Sequence, residues 1–251
     1  MATFGRDDEL RGARFTDADL RGARFAGADL SGAVMRGVEL RGVELDSPWL
    51  FEDGNVLLVN GVDVLPFVEA ELNRRFPGRA ARQAEDPDGL RAAWTAVEGA
   101  WAATVARAAA LPDGTVDEAV DGEWSFAQTL RHLVVATDIW LGKAILRVEQ
   151  PFHPIGLLYS GAEQDGHDTS VFTAGTPPFA EVLEARAGRV AMVRDFLDGV
   201  TADELAATRH NPHAPEREKT VRSCLHVILE EEWEHHRYAV RDLDAIEARA
   251  S

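Results

Sequence analysis

A carboxylate and an imidazole four residues apart, Glu232 and His236, fall on the apolar stripe of a helical pattern over residues 221–248. Each residue advances about 100° around a helix, so Leu225, Leu229, Ala239 and Leu243 define one face and Glu232 and His236 lie between them. An ionised carboxylate on a buried face is strongly disfavoured unless something pairs with it. A divalent cation supplies the missing charge, and one helix commonly gives two ligands at i and i+4 to one ion. His132 shares a face with Val135, Ala136 and Ile139 on another predicted helix, which makes it the third candidate. The set His132, Glu232 and His236 leaves open positions for water or substrate, the arrangement of a catalytic metal site.

Blander readings exist for each residue. A lone histidine on an apolar face is more often a satisfied core residue than a ligand. Glu232 has an ion-pair alternative in Arg131 or Lys143. His235 lies toward the flank of the stripe and His226 off its centre, so neither is read as a ligand. His153, His167, His210 and His213 fall in loops and read as solvated. Arg237 and Arg241 suit a substrate carboxylate, but late basic residues more often face solvent and favour the helix dipole.

These residues need helices to position them. Four long helical patterns are predicted over residues 89–111, 125–148, 178–197 and 221–248, with Ser125 as N-cap of the second. Four amphipathic helices of this length predict a four-helix bundle over residues 89–251. The connection 149–177 is long, rich in Gly, Pro and His, and aperiodic, which suits a lid or the wall of a site. Upstream, residues 47–88 predict a strand pair around Asn60-Gly61, a short helix over 66–76, and a polar linker over 79–88.

Residues 1–46 carry a different pattern. Large apolar residues recur every five positions at Leu10, Phe15, Leu20, Phe25, Leu30, Met35, Leu40 and Leu45. A period of five fits neither helix nor strand; it fits a four-sided coil with both marked positions inward. This resembles a pentapeptide-repeat β-helix, so the fold class expected is α+β and mainly α. Eight repeats make only two turns, too short a solenoid to stand alone. Seven arginines balance eight acids between Arg6 and Glu44, which favours a structural or dimer-forming role over mimicry of DNA.

The chain has 251 residues, is 45% hydrophobic and carries a formal net charge of −17. That charge argues against nucleic acid or an acidic membrane as partner. Cys224 is the single cysteine, which excludes a disulfide framework and a cysteine-rich zinc site. No signal-peptide pattern opens the chain and no apolar run suits a membrane span, so a cytoplasmic location is expected.

The segments Trp124-Ser125-Phe126 to Leu130-Arg131-His132-Leu133 and Glu231-Glu232-Trp233-Glu234-His235-His236-Arg237 resemble the second and last helices of the DinB family. The resemblance implies an up-down four-helix bundle with one divalent metal on His132, Glu232 and His236. Zinc is the first expectation, with nickel, iron or manganese compatible. Many family members carry histidine where Glu232 stands; glutamate there is similar to the branch of mycothiol-dependent maleylpyruvate isomerase. The activity implied is a thiol transferase or isomerase using mycothiol, bacillithiol or a related thiol on a small electrophilic substrate. A thiol-independent hydrolase or lyase, and a non-catalytic metal-binding stress or interaction protein, are the competing readings. Family bundles often dimerise, so a homodimer is also implied.

Overall fold

The computed structural model describes residues 3–5, 8–51, 54–159, 162–163 and 168–250, with the side chains of Pro215 and Ala250 excepted. Arg6 and His167 lie outside the described residues. The chain divides into two compact units, Met1–Asp46 and Ser47–Ser251.

In the first unit the repeat is written into the backbone. Ala13, Ala23, Ala33 and Val43 donate their N–H to the carbonyls of Leu10, Leu20, Leu30 and Leu40, one hydrogen-bonded turn every ten residues. The third residue of each turn is Gly12, Gly22, Gly32 or Gly42, at φ between 69° and 74°. A type II turn requires a positive φ at that position, which a side chain resists. The enclosed β-helix is not seen: the described residues of this unit form no strand, and no backbone hydrogen bond joins successive turns of the coil. The large apolar row stays open, from 43% exposure at Leu10 to 61% at Phe25. Two turns of coil have too few layers to bury their own inward residues.

The second unit opens with the expected hairpin. Strands β1 (Leu58–Val59) and β2 (Val62–Asp63) pair antiparallel around Asn60 and Gly61. Both turn residues have positive φ, as a type I′ turn demands. Helix α1 (Leu65–Arg75) follows and buries no residue fully. The predicted polar linker is instead packed structure. Residues Arg79–Gln83 form a 3-10 turn whose Arg79 and Arg82 are buried. Their guanidinium groups reach Glu69 on α1 and Glu230 and Glu234 on the last helix, so polarity here signals ion pairs rather than solvent.

Helix α2 (Pro87–Ala109) is capped by Asp86, whose side chain accepts from Gly89 N. Ser125 and Gln128 form a capping box at the start of α3 (Phe126–Thr137). The second predicted helix does not stay α-helical to residue 148; it continues as a π-helical segment, Asp138–Ile145. Helix α4 (Phe179–Gly199) and the last helix complete the bundle, after a short α5 (Ala202–Ala206) and a hairpin of β3 (Thr208–Asn211) and β4 (Ala214–Thr220). That hairpin is charged on both faces and offered no alternating apolar signal.

The last helix, α6 (Val221–Ala250), packs on both α2 and α3, and α4 packs on the same two. Trp94, Val97, Trp101, Leu130, Leu133, Val134, Val193, Leu225, Ile228, Trp233 and Leu243 form the shared core. Side chains of α6 therefore meet two different neighbours depending on a rotation of about 100°, one residue's step. No helix among the described residues is long and apolar enough to cross a membrane.

Candidate metal centre

Two carboxylate–imidazole pairs overlap on α6, one residue out of step: Glu231 with His235, and Glu232 with His236. The structure sends the second pair to the bundle centre. Glu232 is 1% exposed and receives Nη2 of Arg186, from α4, at 2.5 Å. Burial pushes the Glu232 carboxyl up from its ordinary range, and the arginine pulls it back. His236 lies 2.8 Å from Thr104 Oγ1 on α2, with Trp101, Phe76 and Trp233 edge-on to its ring. The Thr104 hydroxyl donates to the Ala100 carbonyl, so its oxygen accepts the Nε2 proton of His236. Burial lowers the His236 imidazole to about 4, which keeps it neutral.

The expected set of His132, Glu232 and His236 is thus not brought together. His132 meets Glu231 and His235 instead, and one ligand atom from each of these three lies within 4.8 Å of the others. The ion-pair alternative for Glu232 describes its environment, with Arg186 as partner in place of Arg131 or Lys143. The centre of an amphipathic stripe is its driest place, and a dry carboxylate finds an arginine; a group that meets solutes sits on the flank. The overlapping i, i+4 pair one residue earlier was the sequence signal, with His235 already on that flank.

The three groups are partly buried, each with about 15–16% of its side chain exposed. His132 Nε2 stands 3.4 Å from Glu231 Oε2. The other His132 nitrogen, Nδ1, faces the Leu157 carbonyl at 3.2 Å, so Nε2 carries the lone pair. His235 places Nδ1 2.9 Å from the Glu231 main-chain carbonyl and 3.4 Å from Glu231 Oε2. Trp124, just before the α3 cap, lies against both rings at 4.7 and 6.2 Å. Tyr238 closes the far side of His235.

The electrostatics single out Glu231. Glu230 has Arg82, Glu232 has Arg186, and Glu234 has Arg79 and Arg237. Glu231 meets only imidazoles, with no arginine or lysine at ion-pair distance among the described residues. Burial opposes its charge, yet the adjoining His132, His235 and His213 hold its carboxyl below the ordinary range. Burial lowers His235 to about 4, with His132 acting in the same direction. A carboxylate and neutral imidazoles are the forms that bind a metal. Donors held at 2.0–2.2 Å from a tetrahedral zinc stand about 3.3–3.6 Å apart, a range that includes the 3.4 Å His132–Glu231 spacing. The donor set fits one divalent ion.

Two cavities of about 290 Å³ each share Leu158 and Phe172. One is walled by Leu157, whose carbonyl holds His132. The other lies between Ile139 and Lys143 of the π-helical segment and His213 at the tip of the β3–β4 hairpin. His213 and Lys219 both lie against Trp140, which ties the hairpin to the same segment. The walls from residues 156–173 fall in the connection read from sequence as a lid or wall, whereas the His213 hairpin was not read as part of a site.

A four-helix bundle with a carboxylate and two imidazoles converging between two of its helices is a metal-binding type of scaffold. The model for the DinB superfamily matches residues 96–239, more than half of the chain, and the chain belongs to that superfamily. Pentapeptide repeats match in eight copies over residues 9–46. No curated protein and no solved structure matches the chain.

Proposed function

We propose that the protein is a divalent-metal-dependent enzyme of the DinB type, with His132, Glu231 and His235 as the metal ligands and zinc as the ion. The observation that carries this reading is Glu231, the one acid of the run 230–234 that has no cationic partner among the described residues. The proposed reaction is transfer or isomerisation through a low-molecular-weight thiol, of the mycothiol kind, acting on an electrophilic small molecule. A bound divalent cation would hold the thiol as thiolate below its free pKa of about 8.5.

The chain's own groups have separate tasks. Trp124 shields one side of the two imidazoles from water. His213 and Lys143 line the cavity beside the site and can meet an anionic group of the substrate. Phe152, Phe172 and Leu158 offer it an apolar wall.

Elemental analysis and thiol-dependent turnover test the reading. The purified protein is expected to hold one equivalent of metal, lost in His132→Ala, Glu231→Ala and His235→Ala. Conversion of epoxides, conjugated alkenes or activated halides should require added thiol. Turnover that needs metal but not thiol would leave the hydrolase or lyase reading; metal without any turnover would leave the binding protein.

A further inference from the structure

Residues 151–157 lie across the helix turn that carries His132, and both of their faces are fastened. Asp138, fully buried, accepts from His153 N at 2.8 Å and from Arg189 Nε at 2.6 Å. Arg189 also donates to the Pro151 carbonyl. Arg131 is buried, has no carboxylate partner among the described residues, and gives its guanidinium to three main-chain carbonyls: Ile155 at 2.8 Å, Gly175 at 3.0 Å and Thr173 at 3.2 Å. Its own carbonyl accepts from Leu157 N at 3.3 Å. The Leu157 carbonyl then accepts from His132 Nδ1.

The approach is close because position 156 has no side chain. A Cβ on Gly156 would stand 2.4 Å from Val135 Cγ2, 2.8 Å from Phe172 Cε1 and 3.1 Å from the His153 carbonyl. Val135 is on α3, three residues after His132, so a methyl group there pushes the strap off that turn of the helix. The π-helical segment repeats the device, since a Cβ on Gly142 would meet Pro151 Cβ at 2.7 Å.

We infer that this strap is the outer shell of the candidate metal centre, and that Arg131 and Gly156 are positioning residues that fix His132 as the Nδ1–H tautomer with Nε2 turned toward Glu231. The inference rests on the proposed ligand set only for its consequence in metal affinity; the tautomer itself is a property of the metal-free protein. A histidine ligand whose second nitrogen loses its fixed acceptor binds metal about 10–100-fold more weakly.

Imidazole nitrogen NMR of the metal-free protein at about pH 8.5, two units above the ordinary imidazole value, reads the tautomer directly. Wild-type His132 is expected to carry its proton on Nδ1, and Gly156→Ala and Arg131→Met to lose that preference while the bundle stays folded. A chelator-competition assay then measures zinc affinity. Gly156→Ala and Arg131→Met should each weaken it about 10–100-fold, because the strap acts through His132. A wild-type His132 protonated on Nε2, or one whose tautomer is unchanged in both variants, overturns the inference. A zinc affinity unchanged in both variants overturns it too. A wild-type protein that takes up no zinc refutes the proposed metal site instead, and the NMR result still decides the strap.

Discussion

Glu231 and Glu232 are consecutive on α6, and only the second has an arginine. One step of about 100° turns Glu232 to Arg186 in the bundle centre and Glu231 to His132 at the α3–α6 contact. Two neighbouring carboxylates thus divide the work between fold and site, and substitutions should separate the two roles.

Glu231→Gln removes the charge and keeps the shape. The expected outcome is loss of bound metal with a metal-free unfolding midpoint close to that of the wild type. Saturating zinc should raise the apparent stability of the wild type by about 2.7 kcal/mol at a hundredfold excess over Kd, and leave the variant unmoved. Thermal shift with and without zinc checks both statements. A zinc-dependent shift in Glu231→Gln equal to that of the wild type would count against the ligand assignment.

Glu232→Ala has the opposite expected phenotype. It strands the Arg186 guanidinium, whose Nη1 already lacks a partner among the described residues, in the dry core. Breaking a buried pair in this way costs about 3–5 kcal/mol, readable by urea unfolding. Replacing both partners, as in Glu232→Leu with Arg186→Met, should recover most of that loss. Metal stoichiometry in the double variant should match the wild type.

The repeat, the hairpin at Asn60-Gly61, the Ser125 cap and the four long helices were legible because each depends on local chemistry: period, turn residues, capping side chains. Of the candidate cluster, His132 was named from sequence, and Glu231 and His235 each lie one residue from the α6 groups named there. Amphipathicity ranks the positions of α6 by burial, and Glu232 and His236 outrank Glu231 and His235 on that scale. What amphipathicity omits is which neighbour waits at each angle, and Arg186 and Thr104 lie 46 and 132 residues away in sequence. The hairpin at 208–220 escaped for a related reason, and the strap was legible only as part of the 149–177 connection read as a lid or wall. Their order comes from Arg131, Asp138 and Trp140 on other elements rather than from a pattern of their own.

Arg79 offers a test of how α1 is held. That helix buries no residue fully, yet its Glu69 and Asn73 both accept from Arg79 Nη1, at 2.8 and 2.9 Å. The same guanidinium reaches Glu234 on α6. Arg79→Ala should therefore release α1 while sparing the bundle. Hydrogen exchange is expected to accelerate across Leu65–Arg75 with little change in α2, α3 or α4. Uniform acceleration through the bundle would show that the arginine supports the whole core.

Cys224 yields a pH dependence whose sign follows from burial alone. The thiol is fully buried on α6, and burial raises it to about 11 from an ordinary 9.0. A raised folded-state value means that the unfolded chain loses its proton first. The contribution is fully present below pH 9 and is lost as the pH climbs toward 11, so stability falls within that window. Two pKa units correspond to about 2.7 kcal/mol. Urea unfolding of wild type and Cys224→Ala across this range should show a steeper alkaline decline for the wild type. The variant should carry only a pH-independent offset from the small cavity it creates. The same burial keeps the thiol inert, so iodoacetamide at about pH 8 should label Cys224 only when urea is present. Parallel alkaline slopes in the two proteins, or rapid labelling of the folded chain, would show that the thiol is reached by solvent.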